Sequence, residues 1–272
     1  MQKNISTVDI MEKTPNVAGN AASNVAGKKI FLLYPHSVIR DDMLDVLIMA
    51  GYETYTLVDE EKGRKLMIKF PGSIMFINID EGLKELEWEI YIKDIQQNPK
   101  TKDCRLGIMS YNQDKELMQK YLMELAIPCG YIQLKLGLHE STRIILNALE
   151  VNEARGRRKC IRANCDDDRS ASINFKGDTG MYQGKILDIS ASGIAARFEK
   201  LASLPLACLL PHVQLRLRGG LVMTNMIYMG QRQDDKRIYI LLFDNKLSED
   251  NKFIIHRYIK QCLQRYVDRL AL

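Results

Sequence analysis

No Cys-x-x-Cys pair occurs among the six cysteines of this 272-residue chain (Cys104, Cys129, Cys160, Cys165, Cys208 and Cys262), and its four histidines (His36, His139, His212 and His256) lie far apart in sequence. A zinc site needs clustered thiolates or imidazoles, so no metal site is expected. The sequence also lacks the run of about 18 apolar residues that a membrane-spanning helix requires. No N-terminal stretch pairs a basic start with an apolar run and a small-residue cleavage site. The expectation is therefore a cytoplasmic protein with reduced thiols and no membrane insertion. No Gly-x-x-x-x-Gly-Lys-Ser/Thr loop, Gly-x-Ser-x-Gly elbow or His-Glu-x-x-His helix is present, and an enzyme is not expected. Charge of one sign is not in great excess: 39 Lys and Arg stand against 34 Asp and Glu, a formal net charge of +5. Nothing here demands a basic face across the whole molecule, so DNA is not an expected partner.

What is present suffices for two domains, since 46% hydrophobic content over 272 residues can fill two separate cores. Residues 1–27 are rich in Asn, Ser, Ala and Gly, without a sustained period, and are expected to form a disordered tail. Residues 28–152 alternate short apolar runs with helical patterns. Lys29 to Tyr34 suits a strand buried on both faces. Ser37 is expected to cap the next helix, with Asp41 and Asp42 in its first turn, Ile39, Met43, Val46, Leu47 and Ala50 on its inner face, and Gly51 at its end. Four further strands are expected at Glu53 to Val58, Ser73 to Asp80, Arg105 to Met109 and Tyr131 to Leu134. Helices near 61–70, 83–97, 113–126 and 138–152 fall between and after them. Five such units imply a doubly wound parallel sheet.

The texture changes in residues 153–272. Arg155, Arg157, Arg158, Lys159 and Arg162 crowd into one segment that meets no acid until Asp166, the densest basic cluster of the chain. Short β-branched and aromatic runs follow, at 172–176, 181–189, 194–198, 213–218, 221–230 and 237–243, which suggests a small antiparallel barrel. In Val213 to Arg218 the alternation is strict, with Val213, Leu215 and Leu217 on one face and Arg216 and Arg218 on the other. Ser248 is expected to cap a C-terminal amphipathic helix bearing Ile255, Tyr258, Ile259, Cys262, Tyr266 and Leu270. Trp88 and His256 are expected to be packing residues. Arginine forks of the kind found at 157–162 match phosphate oxygens and the O6/N7 edge of guanine bidentately, and their planes stack on bases.

Arg158-x-x-x-Arg162, followed by a strand and then Asp188-x-Ser190-x-x-Gly193, resembles the two-part signature of PilZ domains. Tyr239 to Phe243 followed by Ser248-Glu249-Asp250 resembles that family's last strand and helix start, although Ile240 and Leu241 stand where a small residue is usual. The resemblance implies that Arg158 and Arg162 contact guanine edges and phosphates of cyclic di-GMP, bound singly or as an intercalated pair, with Arg157 as an additional contact. It implies that Asp188 accepts from guanine N–H groups, that Ser190 donates to phosphate, and that Gly193 gives the backbone room for a tight turn. No cofactor other than this ligand is implied. The family association points to second-messenger control of motility, surface attachment or virulence in a bacterium.

Residues 28–152 resemble the response-regulator receiver fold. The acidic pair expected after the first strand is replaced by Tyr34-Pro35-His36-Ser37, and Asn78 falls at the phospho-acceptor position. Asp80 could serve only with a shifted register, whereas Ser110 and Lys135 match the remaining switch positions. Without a carboxylate cluster to hold magnesium the phosphoryl chemistry is expected to fail, leaving a pseudo-receiver that engages a protein partner. The functional expectation is a cyclic di-GMP effector in which the arginine loop couples the ligand to a rearrangement of domains or partner. The alternative is a PilZ-like scaffold that binds no nucleotide and works through protein contacts alone.

Overall fold

The computed structural model describes residues 27–177, 180–200 and 203–270; the expected tail, apart from Gly27, lies outside the described residues. Strands β1 (Lys29–Leu33), β2 (Glu53–Leu57), β3 (Ile74–Asn78), β4 (Arg105–Ser110) and β5 (Tyr131–Gln133) form a parallel sheet in the order β2-β1-β3-β4-β5. β1, β3 and β4 are buried almost end to end, because helices cover both faces. Alternation with period two divides each strand between two layers. Ile30 and Leu32 share a cluster with residues of α1 (Ser37–Met49) and α5 (Leu138–Val151). Phe31 and Leu33 cluster with α2 (Glu60–Lys69) and α3 (Glu85–Gln97), where Trp88 is fully buried.

Three local expectations are corrected. The His36 imidazole, rather than Ser37, caps α1 by accepting from the Val38 N–H at 3.3 Å, so Asp41 and Asp42 lie beyond its first turn. The buried stripe of α1 is Met43, Leu44, Leu47 and Ile48, and Val46 is 40% exposed. The cause is that α1 packs on two sides: Met43 and Leu47 meet the sheet, while Leu44 and Ile48 belong to the cluster that continues into the second half of the chain. The helix expected at 113–126 is shorter, as α4 (Lys115–Gln119), capped by Asp114 and passing into a π-helical turn at Lys120–Glu124.

The second half comprises β6 (Arg162–Asn164), β7 (Ser172–Gly177), β8 (Gly180–Ser190), β9 (Gly193–Phe198), β10 (Leu209–Leu217), β11 (Gly220–Gln231), β12 (Ile238–Phe243) and α6 (Glu249–Leu270). All pairings are antiparallel. The ring β8-β7-β10-β11-β12-β9 closes through β8–β9, giving a six-stranded barrel. Val213, Leu215 and Leu217 face its interior as the alternation predicts. β7 pairs with β8 only as far as Lys185, and β6 takes over the same edge from Asp188 onward. None of the helices among the described residues is long and apolar enough to cross a membrane.

On α6 the expected Ile255, Tyr258, Ile259 and Cys262 are buried, joined by Leu263 and Val267, which the sequence reading did not name, while Tyr266 and Leu270 are only partly buried. At 22 residues the helix extends about 33 Å, far enough to reach the sheet as well. There it lies along β2, the outer strand, whose free edge would otherwise expose unpaired peptide groups. Gln264 supplies the missing partner. The Thr56 N–H donates to Gln264 Oε1 at 3.0 Å, and Gln264 Nε2 donates to the Thr56 carbonyl at 2.9 Å. Ion pairs Lys62–Asp268 (2.9 Å) and Lys260–Asp45 (2.7 Å) flank this contact. Gln264→Ala leaves both Thr56 groups without a partner and is expected to cost about 1–2 kcal/mol. Urea denaturation followed through the fluorescence of Trp88 measures it, with a shifted midpoint expected.

Candidate functional site

The β8–β9 hairpin carries the second half of the sequence signature, and β6 carries the end of the first. Register sets Arg162 opposite Ser190, Ala163 opposite Ile189 and Asn164 opposite Asp188. Along β9, Ile194, Ala196 and Phe198 point into the barrel, so Gly193 and Ala195 face outward. Asp188, Ala195 and Ile240 form one outward row across three strands, and Ser190, Gly193 and Leu242 form the next. The result is a shallow apolar floor with Arg162 and Asp188 at its rim.

Gly193 serves a purpose other than the one expected. A Cβ there would lie 2.2 Å from the Leu241 carbonyl oxygen and 2.9 Å from the Leu242 Cα. The glycine thus permits β9 to approach β12 closely, rather than supplying turn geometry. On β12, Leu241 points inward and fills the core, while Ile240 points outward and forms floor. The Ser190 hydroxyl is buried and clasps the turn: it lies 3.1 Å from the Gly193 carbonyl and 3.0 Å from Ser192 Oγ, and accepts from the Ser192 N–H at 3.3 Å.

The linker from α5 to β6 divides into an anchored part and a free part. The Lys28 N–H donates to the Ala154 carbonyl at 2.9 Å. Arg155 Nη2 donates to the Ala50 carbonyl at 2.8 Å, at the end of α1, with its guanidinium over the Tyr52 ring. That placement suits a cation at a helix C-terminus. Gly51, at φ +88°, approaches the Lys159 carbonyl so closely that an added Cβ would sit 3.0 Å away. The side chains of Arg157, Arg158 and Arg162, by contrast, make no hydrogen bond or ion pair among the described residues. Arg158 and Arg162 line a crevice whose other wall is Gly51 and Glu53.

Burial raises the Asp188 carboxyl above the usual carboxylate range, opposed by the charges of Arg162, Arg232 and Arg158 in that order. Arg232 was missed in the sequence because it belongs to neither half of the signature. It enters from the β11–β12 turn, and only the strand order β8-β9-β12-β11 shows that this turn borders the same face. A flat floor bordered by one half-buried carboxylate and several guanidiniums suits a planar base carrying phosphates. The carboxylate takes ring N–H donors, and the guanidiniums take phosphate oxygens or an acceptor edge.

Beside this face a cavity of about 750 Å³ separates α1 from α6, with Ile48, Met49, Ile161, Ser192 and Phe253 in its walls. At the far end of the parallel sheet, Asn78 is buried and donates to the Tyr34 carbonyl at 2.9 Å. Asp80 lies just beyond β3 and accepts from Ser110 Oγ at 2.5 Å and from the Tyr111 N–H at 2.6 Å. Its two oxygens thereby join the loops after β3 and β4. Among the described residues no group of three or more His, Cys, Asp or Glu side chains converges.

The strand order and barrel closure define the class: a five-stranded parallel α/β domain followed by a closed six-stranded antiparallel barrel with a C-terminal helix. No family model and no curated protein matches the chain. Solved structures similar to parts of it include the PilZ domain with c-di-GMP of YcgR from Escherichia coli, at 16% identity and TM-score 0.36, covering 42% of this chain and 97% of that one. The K. pneumonia MrkH–c-di-GMP complex matches at 19% identity and TM-score 0.33, covering 38% of this chain and only 51% of MrkH. The signal receiver domain of an HD domain-containing protein from Pseudomonas fluorescens Pf-5 matches at 17% identity and TM-score 0.39, covering 49% of this chain and 94% of that one.

The raised Asp188 carboxyl has a consequence for stability. The folded protein holds this proton to higher pH than the unfolded chain, so the associated stability is present below the ordinary aspartate value of about 3.9 and is lost as pH rises through the folded value. Asp188→Asn, neutral at every pH, is expected to melt at higher temperature than wild type near pH 7, with the gap closing toward pH 4. Thermal melts of the two proteins across that range check the sign.

Proposed function

We propose that this chain is a non-catalytic effector that binds cyclic di-GMP on the outer face of β8 and β9. The observation that carries the reading is the β6–β8 register, which sets Arg162 against Ser190 and beside half-buried Asp188 while leaving the Arg158 and Arg162 guanidiniums without a hydrogen bond among the described residues. Guanidiniums in that state retain their full capacity for bidentate bonds to phosphate and to guanine. The PilZ signature, with both halves in order, supports the choice of dinucleotide. In this reading Arg157 gives a further contact from the loop, Asp188 accepts from guanine N–H groups, and the Ser190 hydroxyl turns from its clasp of the hairpin toward a phosphate.

The same reading gives the linker a second task. One end is anchored to the receiver-like half through Arg155, Ala154 and the approach of Lys159 to Gly51. The other end enters the barrel as β6. Ordering residues 157–161 around a ligand then biases how the halves sit, provided the ligand binds the two arrangements unequally. A protein partner of the receiver-like half would sense that change.

Calorimetric titration of the full chain tests the binding. Wild type is expected to bind cyclic di-GMP, and Arg158→Ala and Arg162→Ala are each expected to lose about tenfold or more, the scale of a charge-assisted hydrogen bond. No heat from wild type, or unchanged affinity in both variants, rejects the reading. Hydrogen exchange tests the coupling: ligand is expected to slow exchange in 154–161 and also across the junction at 50–56. Protection confined to the barrel would leave binding without coupling.

A further inference from the structure

The Arg232 side chain stands outside the signature yet borders the same face, and its surroundings give it a defined job. Its backbone N–H donates to the Ile238 carbonyl at 2.9 Å, which fixes it one step past the Gln231–Tyr239 pair. Tyr239 points inward, so Ile238 lies outward in line with Ile240 and Leu242, and Ile238 pairs in turn with Arg197 of β9. Arg232 therefore rises from the border of the floor opposite Arg162, with Ala195 and Ile240 between them and Asp188 on the β8 side.

Its guanidinium is already oriented. Nε bonds Asp234 Oδ1 at 3.0 Å and Nη2 bonds Asp234 Oδ2 at 2.6 Å. Of the five N–H donors of an arginine, this bidentate clamp consumes those on one edge. The terminal edge, formed by Nη1 and the second Nη2 proton, remains unbonded among the described residues. The pair is partly open to solvent, with 44% of the Arg232 side chain exposed, so a ligand on the floor can reach it.

Guanine presents N1–H and N2–H donors on one edge and O6 and N7 acceptors on the next. A carboxylate and a guanidinium facing one floor match those edges in sign, and adenine, with a donor amine in place of O6, reverses the pattern. Resting on the reading of this face as a cyclic di-GMP site, we infer that Arg232 and Asp188 together read a single guanine, Asp188 at its N–H edge and Arg232 at O6 and N7. Arg232 is thereby a specificity-determining residue, held in place by Asp234.

The test compares wild type, Arg232→Ala and Arg232→Lys by calorimetry with cyclic di-GMP and cyclic di-AMP, with circular dichroism to establish that each variant folds. Arg232→Ala is expected to lose roughly 10- to 100-fold in affinity for the guanine dinucleotide while its weak affinity for the adenine dinucleotide stays as in wild type. Arg232→Lys, which keeps the charge and loses the fork, is expected to lose nearly as much. Unchanged cyclic di-GMP affinity in Arg232→Ala, equal losses for both dinucleotides, or full retention in Arg232→Lys each overturns the inference while leaving the binding site standing. Failure of wild type to bind cyclic di-GMP overturns the site itself and the role of Arg232 with it.

Discussion

Gln264 offers its carboxamide to both polar groups of Thr56, and a side chain there does what a neighbouring strand would otherwise do. The constraint behind it is general: a sheet edge left open is a template for unwanted pairing, so the edge must be covered. Here the cover is α6, a helix that is at once the barrel's packing partner and the lid of the parallel sheet. Placing α6 along β2 brings the end of α1 beside the barrel and lets the linker pass from Ala154 to Arg162 over the surface at Gly51. The crevice lined by Arg158 and Arg162 exists at that position because one helix serves two cores.

The outer barrel face is arranged at some cost to the free protein. A carboxylate is held where burial disfavours its charge, and three guanidiniums lie near it without bonding it directly. A well-packed surface with no ligand to bind would be better served by direct ion pairs or by apolar substitutes. The cost makes sense where an incoming group can satisfy the carboxylate and the cations together. The glycine and alanine of β9 belong to the same economy of space, since larger residues would either force β12 away or fill the floor.

Both folds were legible because their signals are strong and local: continuous apolar runs for β1, β3 and β4, strict alternation in β10, and an amphipathic stripe in α6. The errors fell where tertiary contact overrides pattern. Val46 looks like an inner residue of a helix with one buried side, but α1 is buried on two, and its apolar arc turns toward Leu44 and Ile48. Histidine is a less familiar cap than serine, and so the start of α1 was misplaced. For the site, Arg158, Arg162, Asp188, Ser190 and Gly193 stand close in sequence within two short motifs. Arg232 comes from a turn 44 positions beyond Asp188, and no local pattern joins them.

Asp80 carries a consequence for the parallel-sheet half. In a site that depends on a cation, the loops beyond β3 and β4 would be held through the ion and released when it leaves. Here a carboxylate, a hydroxyl and a peptide N–H hold them, all contributed by the chain itself. The carboxyl ends of β3 and β4 are thereby tied to one another by side chain as well as by strand pairing.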